Sequence, residues 1–392
     1  MKPIVVIGSG HAGVTLIREV RQLDLKTPVI LITKDKANTY YKPNLSKAIS
    51  MGKSPDDLVM KCAEQVELDL GVQIVSNTVV ESIDTVNGSL KINGAEGQCS
   101  IAYKDLVFAV GAAPIELPIN GDAADQVLSV NTLDEYRLFR SEIKDKTNVL
   151  IIGAGFVGIE FASDLSNSDY QVDVVDMGDW PLQRSLPEEL GSSIRNSFKE
   201  DTLTWHFGAS VVTVNRQGEK LEVTLSTGKK LMVDVVLSAV GIKPNIQLAK
   251  EANISVNRGI VVDECLRTSH KNIYALGDCA ELSGYTLPFI APATFSAKAL
   301  AKTLLGTVSE LSIPNLAVAV KISTCPTVVC PSLTQGGVWD VDGESNDLIA
   351  RYKNSEGQLL GFALTGKAIS QKVSLLKECL SPVLTKQVEL VS

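Results

Sequence analysis

An α/β chain of two Rossmann-like, parallel-sheet domains followed by a small α+β domain is what this sequence predicts, on three observations. Two Gly-x-Gly-x-x-Gly turns occur, Gly8, Gly10, Gly13 and Gly153, Gly155, Gly158. Each directly follows a short apolar run, residues 4–7 and 149–152, that reads as a buried strand. Each also leads through a helical pattern to a second apolar run ending in an acid, Asp35 or Asp176, roughly 20 residues on. Such a turn lets backbone N–H groups approach a pyrophosphate at a helix N-terminus, and the acid accepts hydrogen bonds from an adenosine ribose. Two copies therefore predict two dinucleotides, with Ser9, His11 and Ala12 completing the first loop.

In order along the chain, residues 4–7 read as a strand, 12–23 as a helix and 29–33 as a strand, which is a parallel βαβ unit. A buried strand near residue 107 then exits through Gly111, Ala112, Ala113 and Pro114. The second βαβ unit runs from Val149 through Asp176 and leaves through an apolar run, 235–240, followed by Gly241, Ile242, Lys243 and Pro244. The repeated apolar–Gly–Pro exit is what an internal duplication leaves behind. Gly241 is placed with the second nucleotide. Beyond residue 317, strand-like runs over 317–322, 347–352 and 359–365 and a helix over 369–380 predict the α+β domain. The expected division is 1–112 and 242–317 for the first nucleotide domain, 113–241 for the second, inserted into it, and 318–392 for the last.

With 392 residues, 45% hydrophobic and 21% charged, the composition is that of an ordinary globular protein of several domains. A net charge of -8 opposes non-specific binding to nucleic acid or anionic membrane, and no apolar run approaches the roughly 18 residues of a membrane span. A cytoplasmic location is the expectation. The seven cysteines are irregularly spaced with no Cys-x-x-Cys, and His11, His206 and His270 lie far apart, so no metal site and no catalytic histidine are expected.

The segment Tyr274, Ala275, Leu276, Gly277, Asp278, Cys279, Ala280 and Glu281, a short strand ending in Ala-x-Gly-Asp after two nucleotide units, resembles the ribitol-holding segment of FAD-dependent pyridine-nucleotide oxidoreductases. The order of the whole chain is similar to the glutathione-reductase-like fold. The resemblance implies FAD on the first loop with Asp278 accepting from the ribitol, and NADH on the second. It departs from the disulfide reductases, because no cysteine precedes Cys62 and no histidine follows His270. The corresponding early stretch reads Tyr40, Tyr41, Lys42, Pro43, Asn44, Leu45, Ser46 and Lys47. Together with the Gly-Asp-Cys-Ala-Glu run and the pair Val320 and Lys321, it looks most like rubredoxin reductases, including those that serve flavorubredoxins.

That resemblance implies Glu160, on the helix after the second loop, facing flavin and nicotinamide, and Lys42 and Lys321 near the flavin ring. A dipole-complementing acid in the helix's first turn is the alternative reading of Glu160. Val79, Ile290 and Lys34 are carried over as further FAD contacts. Asp176 is expected to select NADH over NADPH by repelling a 2′-phosphate, although Arg184 lies a few residues on. Electrons then pass one at a time from NADH through FAD to rubredoxin, a small acidic acceptor for which Lys47 and Lys53 are docking candidates. The alternatives are an NADH–ferredoxin reductase of an oxygenase, an NADH oxidase and an NADH-binding signalling flavoprotein. A monomer is expected, since delivery to an outside acceptor needs no site shared across a dimer.

Overall fold

The structure, a computed structural model, describes residues 1–380; the stretch 381–392 of the expected last domain lies outside the described residues. The run Ile4–Ile7 forms the centre of a five-stranded parallel sheet, flanked by Val29–Ile32 and Gln73–Val75 on one side and by Asp105–Phe108 and Ile273–Ala275 on the other. These strands are short and apolar because both of their faces are covered, as parallel sheets require. The second sheet repeats the arrangement. Asn148–Ile152 lies between Gln171–Val175, then Leu203–His206, and Val235–Ser238, then Val127–Ser129, all parallel. The strand before Asp278 thus returns from late in the sequence to the edge of the first sheet.

The two exits that look alike in sequence pair with each other. Ala112–Pro114 runs antiparallel to Ile242–Pro244, with Ala112 opposite Pro244 and Pro114 opposite Ile242. This two-stranded ribbon carries the chain into and out of the second sheet. Two antiparallel meanders, Val79–Asp84 with Ser89–Gly94 and Gly97–Ala102, and Val211–Gln217 with Lys220–Leu225 and Lys230–Val233, were not expected from the sequence. The middle strand of each, Ser89–Gly94 and Lys220–Leu225, alternates buried with more exposed residues, but the strands beside it are largely exposed and carry little apolar pattern. The Asn87-Gly88 turn, with Gly88 at φ +64°, is the local signal that marks the first.

The last sheet is antiparallel, in the order Val318–Val320, Thr327–Cys330, Leu359–Thr365, Asp347–Lys353, Val338–Glu344. The helix expected over 369–380 is instead a 3-10 segment, Gly366–Gln371, followed by a short α-helix, Lys372–Glu378. Ser370 Oγ and Ser374 Oγ donate to the carbonyls of Lys367 and Gln371, at 3.0 and 2.9 Å, bonds that compete with a regular helix. One apolar cluster joins this sheet, through Val320, Ile322 and Val329, to the second sheet and to Leu45, Ala48 and Leu58.

Both glycine turns have one construction. Gly8 and Gly153 sit at φ +113° and +106°, where a side chain is strained. A Cβ on Gly13 would lie 2.1 Å from the Gly8 carbonyl oxygen, and one on Gly158 1.9 Å from that of Gly153. The middle glycines, Gly10 and Gly155, face open space, with nothing within 4 Å of a Cβ.

Gly158→Ala should lose more than about 2 kcal/mol in urea unfolding, because backbone must move. Gly155→Ala should unfold within about 1 kcal/mol of the parent and lose NADH affinity in a titration. Cys279 is fully buried, with Sγ donating to the carbonyls of Leu276 (3.4 Å) and Phe108 (3.6 Å). Burial pushes this thiol up to about 12 from an ordinary value of 9.0. A raised folded-state value makes its contribution complete below pH 9 and lost as pH rises toward 12. Urea midpoints followed from pH 8 to 11 should therefore fall by an amount equivalent to a few kcal/mol, roughly 3–4 over the full window, and the fall should flatten in Cys279→Ala.

Candidate functional site

The first glycine loop opens the helix His11–Leu23, whose N-terminal residue Gly10 provides no side-chain cap. Its first-turn N–H groups therefore point into the space beside Gly10, as a pyrophosphate site requires. Ser9 is buried under the loop, and its Oγ donates to Asp35 Oδ1 at 2.8 Å and meets Thr33 Oγ1 at 3.1 Å. Asp35 Oδ1 also accepts from Thr33 Oγ1 (3.0 Å) and from the Ala37 amide (2.8 Å). Among the described residues Oδ2 takes no donor, which leaves it for a ribose hydroxyl. Lys34 is exposed beside it. The amides of Asn77 and Thr78 donate to the carbonyls of Asp35 and Thr33, which brings Val79, 54% exposed, to the same end of the sheet.

On the other side of the loop, His11 Nε2 lies 3.0 Å from Thr294 Oγ1, in the first turns of the helix Ile290–Leu304. Ile290 thus begins a second helix whose N-terminus converges on the loop. Gly277, at φ +75°, lets the Asp278 turn close on Ala12, since a Cβ there would lie 2.8 Å from that of Ala12. Burial raises the Asp278 carboxyl above the usual range, while Lys42 and His11 pull it back. Burial likewise lowers His11, with Arg18 acting in the same direction and Asp278 opposing. Lys42 and His11 thus both act on the Asp278 charge through space.

Lys42 opens the 3-10 turn Lys42–Asn44, and its Nζ donates to Asn131 Oδ1 at 2.6 Å. Burial depresses its ammonium, and the carboxylates of Asp278 and Glu135 partly restore it. Glu160 lies in the middle of the helix Phe156–Ser166, which has no acid in its first turn, so the dipole reading does not apply. Its buried carboxylate accepts from Ser46 Oγ at 2.6 Å and from the Lys321 amide at 3.1 Å, and pairs with the Lys321 ammonium. One turn on, Asp164 accepts the amides of Ile49 (3.0 Å) and Ser50 (2.8 Å), and Asn167 Nδ2 donates to Ser323 Oγ at 3.0 Å. Sequence reasoning passed over Asp164, Asn167 and Asn131. The recurrence of Glu160, Asp164 and Asn167 at helical spacing on an otherwise apolar helix was the signal available for the first two.

The second loop likewise lacks a side-chain cap at Gly155, and Gly158 packs on Gly153. Asp176 accepts the Ala154 amide on Oδ2 (2.6 Å) and the Gly178 amide on Oδ1 (2.7 Å). It thus steadies the loop, and each oxygen retains a lone pair for a ribose. Arg184 is exposed. Gly241, at φ +116°, follows the neighbouring strand, and its carbonyl accepts the Ile115 amide at 3.0 Å within the ribbon. Lys47 is exposed in the polar hollow that also contains Ser46, Glu160 and Lys321; Lys53 is half-buried outside it. His206 bonds Asp173 Oδ1 across neighbouring strands at 2.6 Å, and no cysteine lines the polar hollow beside Glu160.

Uncapped, open loops, each beside an acid with lone pairs to spare, fit two dinucleotides, and the comparisons with known proteins agree. Residues 2–301 match the family model described as pyridine nucleotide-disulphide oxidoreductase, and residues 310–379 match the one described as rubredoxin binding C-terminal domain. A rubredoxin-NAD(+) reductase of Alcanivorax borkumensis is 41% identical, covering 96% of this chain and 98% of its own. A nitric oxide reductase FlRd-NAD(+) reductase of Aliivibrio fischeri is 37% identical over the same shares. Among solved structures, the ferredoxin reductase for the CYP199A2 system of Rhodopseudomonas palustris superposes with a TM-score of 0.86 at 28% identity, covering 97% of this chain and 96% of its own. The NADH:rubredoxin oxidoreductase of Clostridium acetobutylicum has the same fold, with a TM-score of 0.79 at 22% identity and coverage of 100% and 97%. This chain belongs to the pyridine nucleotide-disulphide oxidoreductase family, whose members use FAD and NAD(H), and within it stands apart from the disulfide reductases in having no cysteine before Cys62.

Proposed function

We propose that this protein is an NADH-dependent reductase of rubredoxin, or of the rubredoxin domain of a flavorubredoxin. The observation that carries the reading is the rubredoxin-binding match over 310–379, whose Lys321 closes on Glu160 of the helix that follows the NADH loop. An acceptor held by that segment is held at the electron-transfer site itself. The same reading divides the chain at 1–112, 113–241, 242–317 and 318–392. The crossover ribbon at Ala112–Pro114 and Ile242–Pro244 supports the first two boundaries. The proposed function includes a cytoplasmic location, a reading supported by seven unpaired thiols among the described residues.

In this reading the amides around Gly10 and Gly155 hold the two pyrophosphates, with Ser9, His11, Ala12 and Ile290 lining the first. Asp35 accepts from the adenosine ribose of FAD, with Lys34 and Val79 beside it, and Asp278 accepts from the ribitol. When bound, FAD supplies the conversion that no side chain here can perform, taking a hydride from NADH and releasing single electrons. Lys42 and Lys321 present ammonium groups toward the ring, and Glu160 holds Lys321 in place while facing the nicotinamide. Asp176 binds the NADH ribose and repels a 2′-phosphate, with Gly241 allowing close approach. The enzyme's contribution is chiefly orientation and electrostatic preorganisation. Lys47, exposed beside the Glu160–Lys321 pair, offers a positive charge to an acidic acceptor.

Anaerobic stopped-flow tests this directly. NADH should bleach the yellow holoenzyme rapidly, and oxidised rubredoxin should restore the colour much faster than a plant-type ferredoxin. The likeness to a ferredoxin reductase makes ferredoxin the informative competitor, and preference for it would overturn the assignment. For the cofactor, Asp176→Asn removes the charge and keeps the side-chain shape. The ratio of kcat/KM for NADPH to that for NADH should rise about tenfold or more, and an unchanged ratio removes Asp176 from the explanation.

A further inference from the structure

The two lysines assigned to the flavin are held in different ways. Lys321 pairs directly with the Glu160 carboxylate, so its charge is locally balanced. Lys42 makes no ion pair with any carboxylate among the described residues; its direct partner is the neutral side chain of Asn131, at 2.6 Å. The orientation of that amide follows from chemistry. An ammonium only donates and a peptide carbonyl only accepts, so Asn131 must turn Oδ1 to Lys42 and Nδ2 to the Ala112 carbonyl, which it meets at 2.8 Å. Its backbone is held as well. The Asn131 amide donates to Glu135 Oε2 at 2.8 Å, within the capping box of the helix Leu133–Glu142 formed by Thr132 and Glu135. Asn131 therefore sits rigidly between a helix cap and the crossover ribbon.

We propose that Asn131 is a positioning residue for the redox reaction, which aims the Lys42 ammonium at the flavin while leaving its positive charge unbalanced. This rests on the FAD assignment above. An aspartate in its place would keep the length and hand Lys42 a counter-charge, and would set a second anionic oxygen against the Ala112 carbonyl. The Asn131–Lys42 contact bridges 89 residues of sequence and joins the early lysine turn to the ribbon through which the NADH-binding segment is inserted. Lys42, through Asn131, thus makes the flavin's environment depend on the seating of that segment. Asp278 and Glu135 act on Lys42 through space from two sides, and neither is in ion-pair contact with it.

The test is a double-mutant cycle on the FAD-loaded protein, read as the two-electron midpoint potential against a reference dye. Flavin content is measured in parallel. Asn131→Asp should lower the reduced-to-oxidised ratio at fixed potential about tenfold, a shift of ~30 mV. Lys42→Met should lower it in the same direction. Asn131→Ala carries no charge of its own, so the fall in potential it causes should vanish in the Lys42→Met background, which a merely structural role would not produce. An unchanged potential in Asn131→Asp, or an equal Asn131→Ala shift with and without Lys42, overturns the proposal. If Asn131→Asp does not retain FAD, the Asn131→Ala cycle alone decides by the same criterion. An unchanged potential in Lys42→Met would overturn both the proposal and the placement of Lys42, while rapid rubredoxin reduction by that variant would leave the functional assignment standing.

Discussion

The buried carboxylate of Glu160 is the interaction on which the geometry of this protein turns. It takes the hydroxyl of Ser46 from the first glycine unit's polypeptide, and the amide and ammonium of Lys321 from the last sheet, onto the helix of the second unit. A buried carboxylate without partners is expensive, so these three segments have one arrangement in which it is satisfied. Asp164 and Asn167 continue the same polar face, fixing the 49–50 turn and Ser323. The opposite face of that helix, with Ile159, Phe161, Ala162 and Leu165, lies in the apolar cluster shared with the last sheet. Hydrophobic burial brings the elements together without direction, and the polar face sets their register.

The two glycine loops show how far duplication reaches. Their backbones are nearly equivalent, with the same left-handed first glycine, the same close third glycine and the same open second one. What differs is what surrounds them. The first loop is ringed by His11, Asp278 and the N-terminus of the helix Ile290–Leu304, contributed by a strand that returns from residue 273. The second has Asp176, whose carboxylate steadies the loop by accepting the amides of Ala154 and Gly178. Two nearly equivalent backbone turns are thus set among different partners, which is what allows the proposed function to give them different dinucleotides.

With no cysteine before Cys62, the proposed reading has electrons leave the flavin for an outside acceptor without a thiol relay. The strand Val318–Val320 carries Lys321 directly to Glu160 on the helix after the second glycine loop, so the segment matched to rubredoxin binding touches the site proposed for electron transfer. Electron transfer from a flavin to an iron centre needs proximity and a compatible charge, and needs no relay through a thiol.

Much of this was legible in the chain itself. The glycine turns, the strands before them and the acids after them are local patterns, set by backbone sterics and by strands covered on both faces, and they stand in the structure where they were read. The Thr327–Cys330 strand was hidden by the prolines on either side of it, and the meanders by their largely exposed outer strands, because those signals are weaker than the burial that decides them. The site divides in the same way. The sequence by itself determined which glycine turns leave uncapped amides at the start of a helix and which acids follow the next strand, since both depend on neighbours a few to some twenty residues away. Only the tertiary structure decided that Lys321 meets Glu160 across 161 residues while Lys42 meets Asn131 across 89, because the partner of a buried charge is chosen by which surfaces the hydrophobic core brings together.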